Sequence, residues 1–339
     1  MSIESKALPS AVRVHAPGRL HLGFLDPAGT LGRRFGSLGL VIDGPSTTVE
    51  LRRAAHDSST ADHAAAVAEL PRAALHLAAL RRATRQTAPL HLQLIETLPA
   101  HAGFGSGTQL ALAIGRAFST LFGLSLAMPE IARLTGRGNR SGVGIAGFDQ
   151  GGLLLDGGPR ADGAPAALLS RIELPAAWRV LLVLDPRARG LNGDDEKAAL
   201  ATLPGLPREA AAEICHEVLM RILPGAAGAE FAPFAAGLTR MQRLLGQHFA
   251  PAQQGRVYTS AAVGRLVDWV ATQTPAGVGQ SSWGPTGFAV LPSADAAEAI
   301  VAAARTAAMI DPALSLHIVR GRNHGATLGT VDTLASITA

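Results

Sequence analysis

Residues 98–109 read Leu-Pro-Ala-His-Ala-Gly-Phe-Gly-Ser-Gly-Thr-Gln. They run straight into a helical repeat of Leu110, Ile114, Ala117, Phe118 and Leu121, with Gly123 as its stop. Residues of these types at this spacing suit an anion. Gly103, Gly105 and Gly107 let the backbone approach a phosphate where a Cβ would hold it off. Ser106 or Thr108 can cap the helix, whose first N–H groups carry the positive end of its dipole. The loop lacks the lysine of a Walker sequence and the spacing of a dinucleotide fingerprint; a plain strand-to-helix turn is the alternative. Three other loops mix polar groups with glycines. Residues 136–152 hold Arg137, Arg140, Ser141, Asp149 and Gln150, residues 277–287 hold Gln280, Ser281, Ser282 and Trp283, and residues 320–325 hold Arg320, Asn323 and His324. Asp149, a carboxylate among glycines before an apolar strand, can serve as base or metal ligand, or close an Asx turn.

The elements that must position these groups follow from periodicity. Val12, Val14, Ala16, Leu20 and Leu22 alternate with Arg13, His15, Arg19 and His21, which predicts a strand over 12–22 bent at Pro17-Gly18. Its polar side carries Arg19, His21 and, further on, Asp26. Two more strands are expected over 38–43 and 47–53, around Gly44-Pro45, and a helix over 61–85 broken near Pro71. A strand over 91–96 feeds the glycine loop. Further strands are expected over 153–156, 178–184, 287–291 and 315–320, and helices over 208–222, 229–248, 259–272 and 295–308. Glycine, proline and alanine concentrate over 156–167, which marks a seam between domains of residues 1–168 and 169–339.

Composition bounds the function. At 339 residues, with 47% hydrophobic and 17% charged, the chain can bury a sizeable core. A net charge of +4, carried almost wholly by arginine, is too thin and scattered for nucleic acid, and 4% aromatic content leaves little for base stacking. Small anions suit guanidinium forks better. No apolar run reaches membrane-spanning length and residues 1–6 lack a signal peptide's apolar core, so a cytoplasmic protein with no membrane partner is expected. The single Cys215 excludes an intrachain disulfide, and no zinc spacing occurs.

Taken together, Ala16-Pro-Gly-Arg19, the 99–109 loop, Gly147-Phe-Asp-Gln150 and the 277–287 loop resemble the GHMP superfamily of small-molecule kinases across nearly the whole chain. The resemblance implies an α+β, two-domain GHMP fold, with an N-terminal ribosomal-protein-like α/β domain and a C-terminal ferredoxin-like α+β domain. It aligns Asp149 with the catalytic aspartate of galactokinase-type members and Arg19 with its supporting arginine. The chain departs from the kinases at Gly107, where they carry a second serine, and at Gln280-Ser-Ser-Trp283, where they carry mostly glycines. Those departures, with Arg19-Leu-His21, Phe24-x-Asp26, Gly279-Gln-Ser-Ser-Trp-Gly-Pro285 and Arg320-x-x-Asn-His-Gly325, are similar to a non-kinase branch, the β-ribofuranosylaminobenzene 5′-phosphate synthases of methanopterin biosynthesis.

The branch implies phosphoribosyl pyrophosphate and para-aminobenzoate as substrates, Mg2+ as cofactor and no ATP, and a homodimer is compatible with it. Gly103, Gly105, Ser106, Gly107 and Thr108 would then bind phosphate. Asp149, Arg19 and His21 would be catalytic, with Asp149 also a metal ligand. Asp26, Arg140, Gln150, Gln280, Ser281, Ser282, Trp283, Arg320, Asn323 and His324 would contact substrate, with Trp283 against the ring. An ATP-dependent GHMP kinase and a non-catalytic ligand sensor on the same scaffold are the alternatives.

Overall fold

The computed structural model describes residues 8–331 apart from positions 161, 163, 165 and 192. The expectation for residues 1–6 lies outside the described residues. Eleven strands form one connected sheet: β1 (Ala11–Asp26), β2 (Phe35–Arg53), β3 (Ser58–Ala61), β4 (Leu90–Glu96), β5 (Leu153–Asp156), β6 (Leu168–Ile172), β7 (Arg179–Leu184), β8 (Gly277–Gln280), β9 (Gly287–Leu291), β10 (Ser315–Gly321) and β11 (Thr327–Val331). The main path runs β11-β1-β2-β10-β7-β9-β8, with β4 and β5 also on β2. Thus β11 and β10, late in the chain, pair with the two earliest strands.

Helices α1 (Ala64–Thr84), α2 (Ser106–Leu121), α3 (Met128–Leu134) and α4 (Val143–Gln150) precede β5. After β7 come α5 (Gly193–Thr202), α6 (Arg208–Glu217), a π-helical turn (Val218–Ile222), α7 (Leu223–Ala227), α8 (Phe231–Phe249), α9 (Ala261–Gln273) and α10 (Ala294–Thr306). The fold is α+β, in line with the pattern of strands and amphipathic helices in the sequence. Leu110, Ile114, Ala117 and Phe118 of α2 share one core with Val12, Val14, Val49 and Leu51. Leu20, Leu22, Leu38 and Leu40 enter a second core with Ile214, Phe234 and Met241. A third joins β7 and β9 to α9 and α10.

A bulge in β1 decides which way its side chains point. Pro17 pairs with Ser46, but Arg19 pairs with Val41, so β2 carries extra residues across this step and Ile42 and Asp43 instead meet β10. Even-numbered residues up to Ala16 face the α2 core; even-numbered Leu20 and Leu22 face the α6–α8 core. Parity has flipped. Odd-numbered Arg19 and His21 therefore turn toward the start of α2. Gly18 is needed here, because a Cβ would sit 2.8 Å from the Pro45 carbonyl oxygen and 2.9 Å from Leu98.

Several expectations are corrected. The strands expected either side of Gly44-Pro45 are one 19-residue strand, β2, because the bulge absorbs the proline. The helix expected to break at Pro71 is continuous, since Pro71 and Val67 are exposed and the carbonyl that loses its partner faces water. Strands β3, β6 and β11 had no expectation attached. Strand β8 and helix α4 form inside the glycine-rich stretches 277–287 and 136–152 that were expected to be loops, the glycines of both being small enough to pack against neighbouring elements.

Helix α2 is held to α3 by a close approach at Gly115, where a Cβ would run into Ile131. Gly115→Val should lower stability by about 1–3 kcal/mol through overpacking. Gly329→Ala, where nothing lies within 4 Å, is the control. Urea denaturation checks both, and equal midpoints for the two variants would refute the packing account.

Candidate functional site

The start of α2 is left open by the chain itself. Its N-cap is Gly105, with φ of 77°, and no side chain caps it, contrary to the expectation for Ser106 or Thr108. The N–H groups of Thr108 and Gln109 both turn back to the Gly105 carbonyl. Those of Ser106 and Gly107, at the head of the helix, have no intrahelical partner. Guanidinium groups flank this turn. A Cβ on Gly105 would lie 3.0 Å from Arg19 Cζ, and one on Gly107 would lie 3.3 Å from Arg137 Nη1. The missing second serine side chain is thus the space in which Arg137 lies.

A cleft of about 550 Å³ opens over this helix start, lined by Arg19, Arg72, Arg137 and Arg140, by the 103–108 loop and by Ser282 and Trp283. Among the described residues Glu196 is the one carboxylate lining it, and it pairs with both terminal nitrogens of Arg140 at 2.9 and 3.0 Å. The excess of cations fits a polyanion. Beside the cleft lies a chamber of about 40 Å³ walled by Phe24, Leu245, Phe249, Val257 and Tyr258. His21, Phe24, Ser282 and Trp283 border both spaces.

Three segments are clasped together at this border. Ser281 Oγ accepts from the His21 N–H at 3.0 Å and donates to the Gly103 carbonyl at 2.8 Å. Ser282 returns its N–H to the His21 carbonyl at 3.0 Å and sits at φ of 54°, a left-handed position unusual for serine. Arg19 N–H reaches the Phe104 carbonyl at 3.1 Å. Burial pulls the Arg19 guanidinium down to about 10 and, with Arg19 and Arg140 nearby, His21 down to about 3. His21 is therefore neutral. Its ring bonds its own backbone carbonyl, which leaves Nε2 as a buried acceptor without a partner. Arg19 Nε and Arg137 Nε are likewise buried and unpartnered. Arg137 Nη2 also contacts His76 Nε2 at 3.4 Å, and burial followed by Arg137 pushes His76 down to about 4.

The structure gathers Arg19, His21, Gly103, Gly105, Ser106, Gly107, Thr108, Arg140, Ser282 and Trp283 around the cleft. Gln280 lines the smaller chamber, bonded to Thr259 N and Gln253. Ser281 is the buried clasp. The others go elsewhere. Asp149 sits at the far end of α4, roughly 10 Å along the axis from Gly142 at 1.5 Å per residue. There it is exposed and paired with Arg116 at 3.0 Å, and it does not line the cleft. Gln150 is beside it, near the 322–326 turn, where the Ala326 N–H bonds the Phe148 carbonyl. Asn323 is zipped to Leu174 by both amide atoms, Arg320 is exposed on β10, and the His324 backbone lies against Gly151. Asp26 is buried, holding the Gly29 and Leu31 N–H groups of its own turn. Neither Asp26 nor Asp149 lines the cleft.

Sequence reasoning missed Arg72, Arg137 as a cleft lining, and Asp156, and it offered Glu196 only as one of three acids opening a helix, with a metal site as the alternative. Asp156 is buried and accepts from Gly142 N, Val143 N, Gly158 N and Ser141 Oγ, which fixes the loop that presents Arg137 and Arg140. Glu196 reads in sequence as a first-turn acid; only the folded loop brings Arg140 to it.

Family models for the GHMP kinases N terminal domain and the GHMP kinases C terminal match residues 69–157 and 226–310. The chain is 32% identical over 294 residues to a beta-ribofuranosylphenol 5'-phosphate synthase of Archaeoglobus fulgidus, covering 83% of this chain and 88% of that one. It is 27% identical to the protein of the same name from Methanothermobacter thermautotrophicus, covering 82% and 88%. Among solved structures, mevalonate diphosphate decarboxylase from Enterococcus faecalis superposes with a TM-score of 0.67 at 15% identity, covering 96% of this chain and all of that one. Homoserine kinase from Cytophaga hutchinsonii gives 0.64 at 16%, covering 97% and all of that chain. At those identities the likeness is one of fold.

Two outcomes follow from this geometry. Inorganic pyrophosphate should bind the cleft, and Arg137→Gln should weaken it roughly 10- to 100-fold, the effect of one charge-assisted bond. Asp149→Asn should change it by less than about twofold. Calorimetric titration decides, and equal losses in both variants would refute the placement. Secondly, His76 titrates near 4 in the fold against 6.5 in the free side chain, so between those values the unfolded chain binds a proton that the native one refuses. Stability should therefore fall as pH drops from about 6.5 towards 4, with His21 extending the loss lower. His76→Gln should flatten this slope in urea melts; an unchanged slope would refute it.

Proposed function

The chain belongs to the GHMP kinase superfamily and, within it, to the family of beta-ribofuranosylphenol 5'-phosphate synthases, and from that premise we propose that it is a decarboxylating phosphoribosyltransferase. Its substrates in this reading are phosphoribosyl pyrophosphate and para-aminobenzoate, in a cytoplasmic step of methanopterin biosynthesis. One observation carries the reading: four arginines converge on an uncapped helix start, beside an aromatic-walled chamber. A polyphosphate and a ring each find a suitable wall there.

The diphosphate end rests on the Ser106 and Gly107 N–H groups between Arg19 and Arg137. The C1–oxygen bond to pyrophosphate breaks with its electron pair leaving on the diphosphate, where guanidinium groups stabilise the added charge. Glu196, held by Arg140, is the carboxylate available to the oxocarbenium-like C1. The para substituent pushes density to the ring carbon bearing the carboxylate, and that carbon bonds to C1. The bond to the carboxyl group then breaks, its electron pair restoring the aromatic ring, and carbon dioxide leaves. No net proton is needed. An arginine that steadies the carboxylate must not grip it in the transition state, since uniform binding opposes its departure.

The oxygen donors lining the cleft are a single carboxylate, the Ser106, Thr108, Ser141 and Ser282 hydroxyls and the Asn139 amide. Among the described residues no group of three metal-ligating side chains occurs. This fits a Mg2+ that arrives on the diphosphate and takes Glu196 as its one protein carboxylate. Such an ion would supply neutralisation of the leaving group. No ATP enters this reaction.

The test is release of pyrophosphate and carbon dioxide from phosphoribosyl pyrophosphate with para-aminobenzoate. It is run beside 4-hydroxybenzoate, because the relatives' name specifies a phenol, and against ADP formation from ATP. ADP formation without phosphoribosyl transfer would replace this reading with a kinase. Glu196→Gln should lower kcat about 100-fold, as loss of a positioned electrostatic group does. A variant with wild-type turnover would remove Glu196 from the reaction.

A further inference from the structure

The smaller chamber differs from the cleft in chemistry and in size. Its walls are Phe24, Leu245, Phe249, Val257, Tyr258 and Trp283, with Trp283 4.5 Å from Phe249, ring to ring, and 4% exposed. Its glutamines and Tyr258 are occupied. Gln280 is bonded to Thr259, Gln253 and the Ser282 carbonyl. Gln242 is bonded to Leu22 O and Gln280 N, and Tyr258 to Asp268. Among the chamber's described side chains, His21 alone has a buried nitrogen without a partner, Nε2, on a ring that is 3% exposed and stands edge-on to Phe24 at 4.6 Å.

Size then decides what can enter. An apolar cavity of about 150 Å³ is needed to house a benzene ring. About 40 Å³ admits the leading edge of a ring and one small substituent, with the rest of the ring between His21, Phe24 and Trp283 and its carboxylate in the arginine-lined cleft. The end that enters is the one opposite the carboxylate.

We propose that this chamber reads the para position of the aromatic acceptor, with a small para group donating a hydrogen bond to His21 Nε2. This rests on the phosphoribosyltransferase reading above for the acceptor's identity. His21 is then a specificity-determining residue. Its ring N–H is spent on its own backbone carbonyl, so Nε2 offers a lone pair and favours a para donor over any substituent that lacks one. The same lone pair would repel the substrate carboxylate, which excludes His21 from holding that end.

Binding is measured by calorimetry with pyrophosphate present and phosphoribosyl pyrophosphate omitted, so that no turnover occurs. The ligands are 4-aminobenzoate, 4-hydroxybenzoate and 4-fluorobenzoate, the last being small but without a donor. The amino and hydroxy compounds should bind wild-type protein at least about 10-fold more tightly than the fluoro compound, the worth of one buried hydrogen bond. His21→Leu should bring all three within about twofold, and His21→Gln, which restores an acceptor oxygen, should recover part of the difference. Equal wild-type affinity for amino and fluoro ligands, or a difference that persists in His21→Leu, would overturn the proposal. Should His21→Leu fail to fold, the wild-type comparison decides alone. Failure of the parent reading looks different: no phosphoribosyl transfer to any acceptor, whatever the order of these affinities.

Discussion

One buried hydroxyl holds the site in register. Ser281 Oγ takes the His21 N–H and gives its proton to the Gly103 carbonyl, so a strand near residue 20, a loop near residue 103 and a turn near residue 281 meet at a single atom. The His21 N–H is buried where water cannot replace the bond, and leaving it unsatisfied would cost about 1–3 kcal/mol. A glycine at 103 is forced by the same contact, since a Cβ there would stand 2.5 Å from the Ser281 carbonyl oxygen. The clasp fixes the distance between the cationic cleft and the aromatic chamber, because the residues bordering both spaces lie on either side of it.

That clasp would hold the wrong side chains without the bulge at Pro17-Gly18. Before the bulge, odd-numbered Arg13 and His15 look away from the α2 core; after it, odd-numbered Arg19 and His21 look toward the helix start. This break in the pairing register thus converts an ordinary amphipathic strand into the floor of a site. The residues that β2 gives up at the break, Ile42 and Asp43, pair with β10 instead. The device that turns the strand also ties the late strands of the chain to the early ones.

Much of this was legible in the sequence, and what was not has identifiable causes. Glycines mixed with polar donors marked three of the segments that line the cleft, 103–108, 136–141 and 282–284, and alternation marked β1 with its bend. Helix phase was not available from a motif: Phe-Asp-Gln placed Asp149 by resemblance, while a rise of 1.5 Å per residue puts it at the opposite end of α4 from the cleft. Asp26 and Asn323 share another cause. Their side chains are of the kind that close turns and bind backbone, and here they do so, which no spacing distinguishes from ligand binding. Arg72 and the pairing of Glu196 were invisible because their partners come from elsewhere in the chain.

The unsatisfied atoms are the most telling residue-level feature. Most buried polar atoms in a native protein have partners. Ser37 Oγ, Arg81 Nε and Thr286 Oγ1 lack one at separate places in the fold, whereas Arg19 Nε, Arg137 Nε and His21 Nε2 lack one on side chains that line a single cleft. Scattered through the fold, such atoms would be ordinary imperfections. Gathered at an uncapped helix start, with Ser282 held in a left-handed conformation beside them, they describe a site whose hydrogen bonds are completed from outside. A capping serine cannot close the helix start, because Gly105 has φ of 77° and a Cβ there would meet Arg19, and His21 keeps a buried nitrogen without a partner where a leucine would have none. A fold that keeps both liabilities, and uses Ser281 and Asp156 to hold them in place, is organised around the ligand rather than around its own stability.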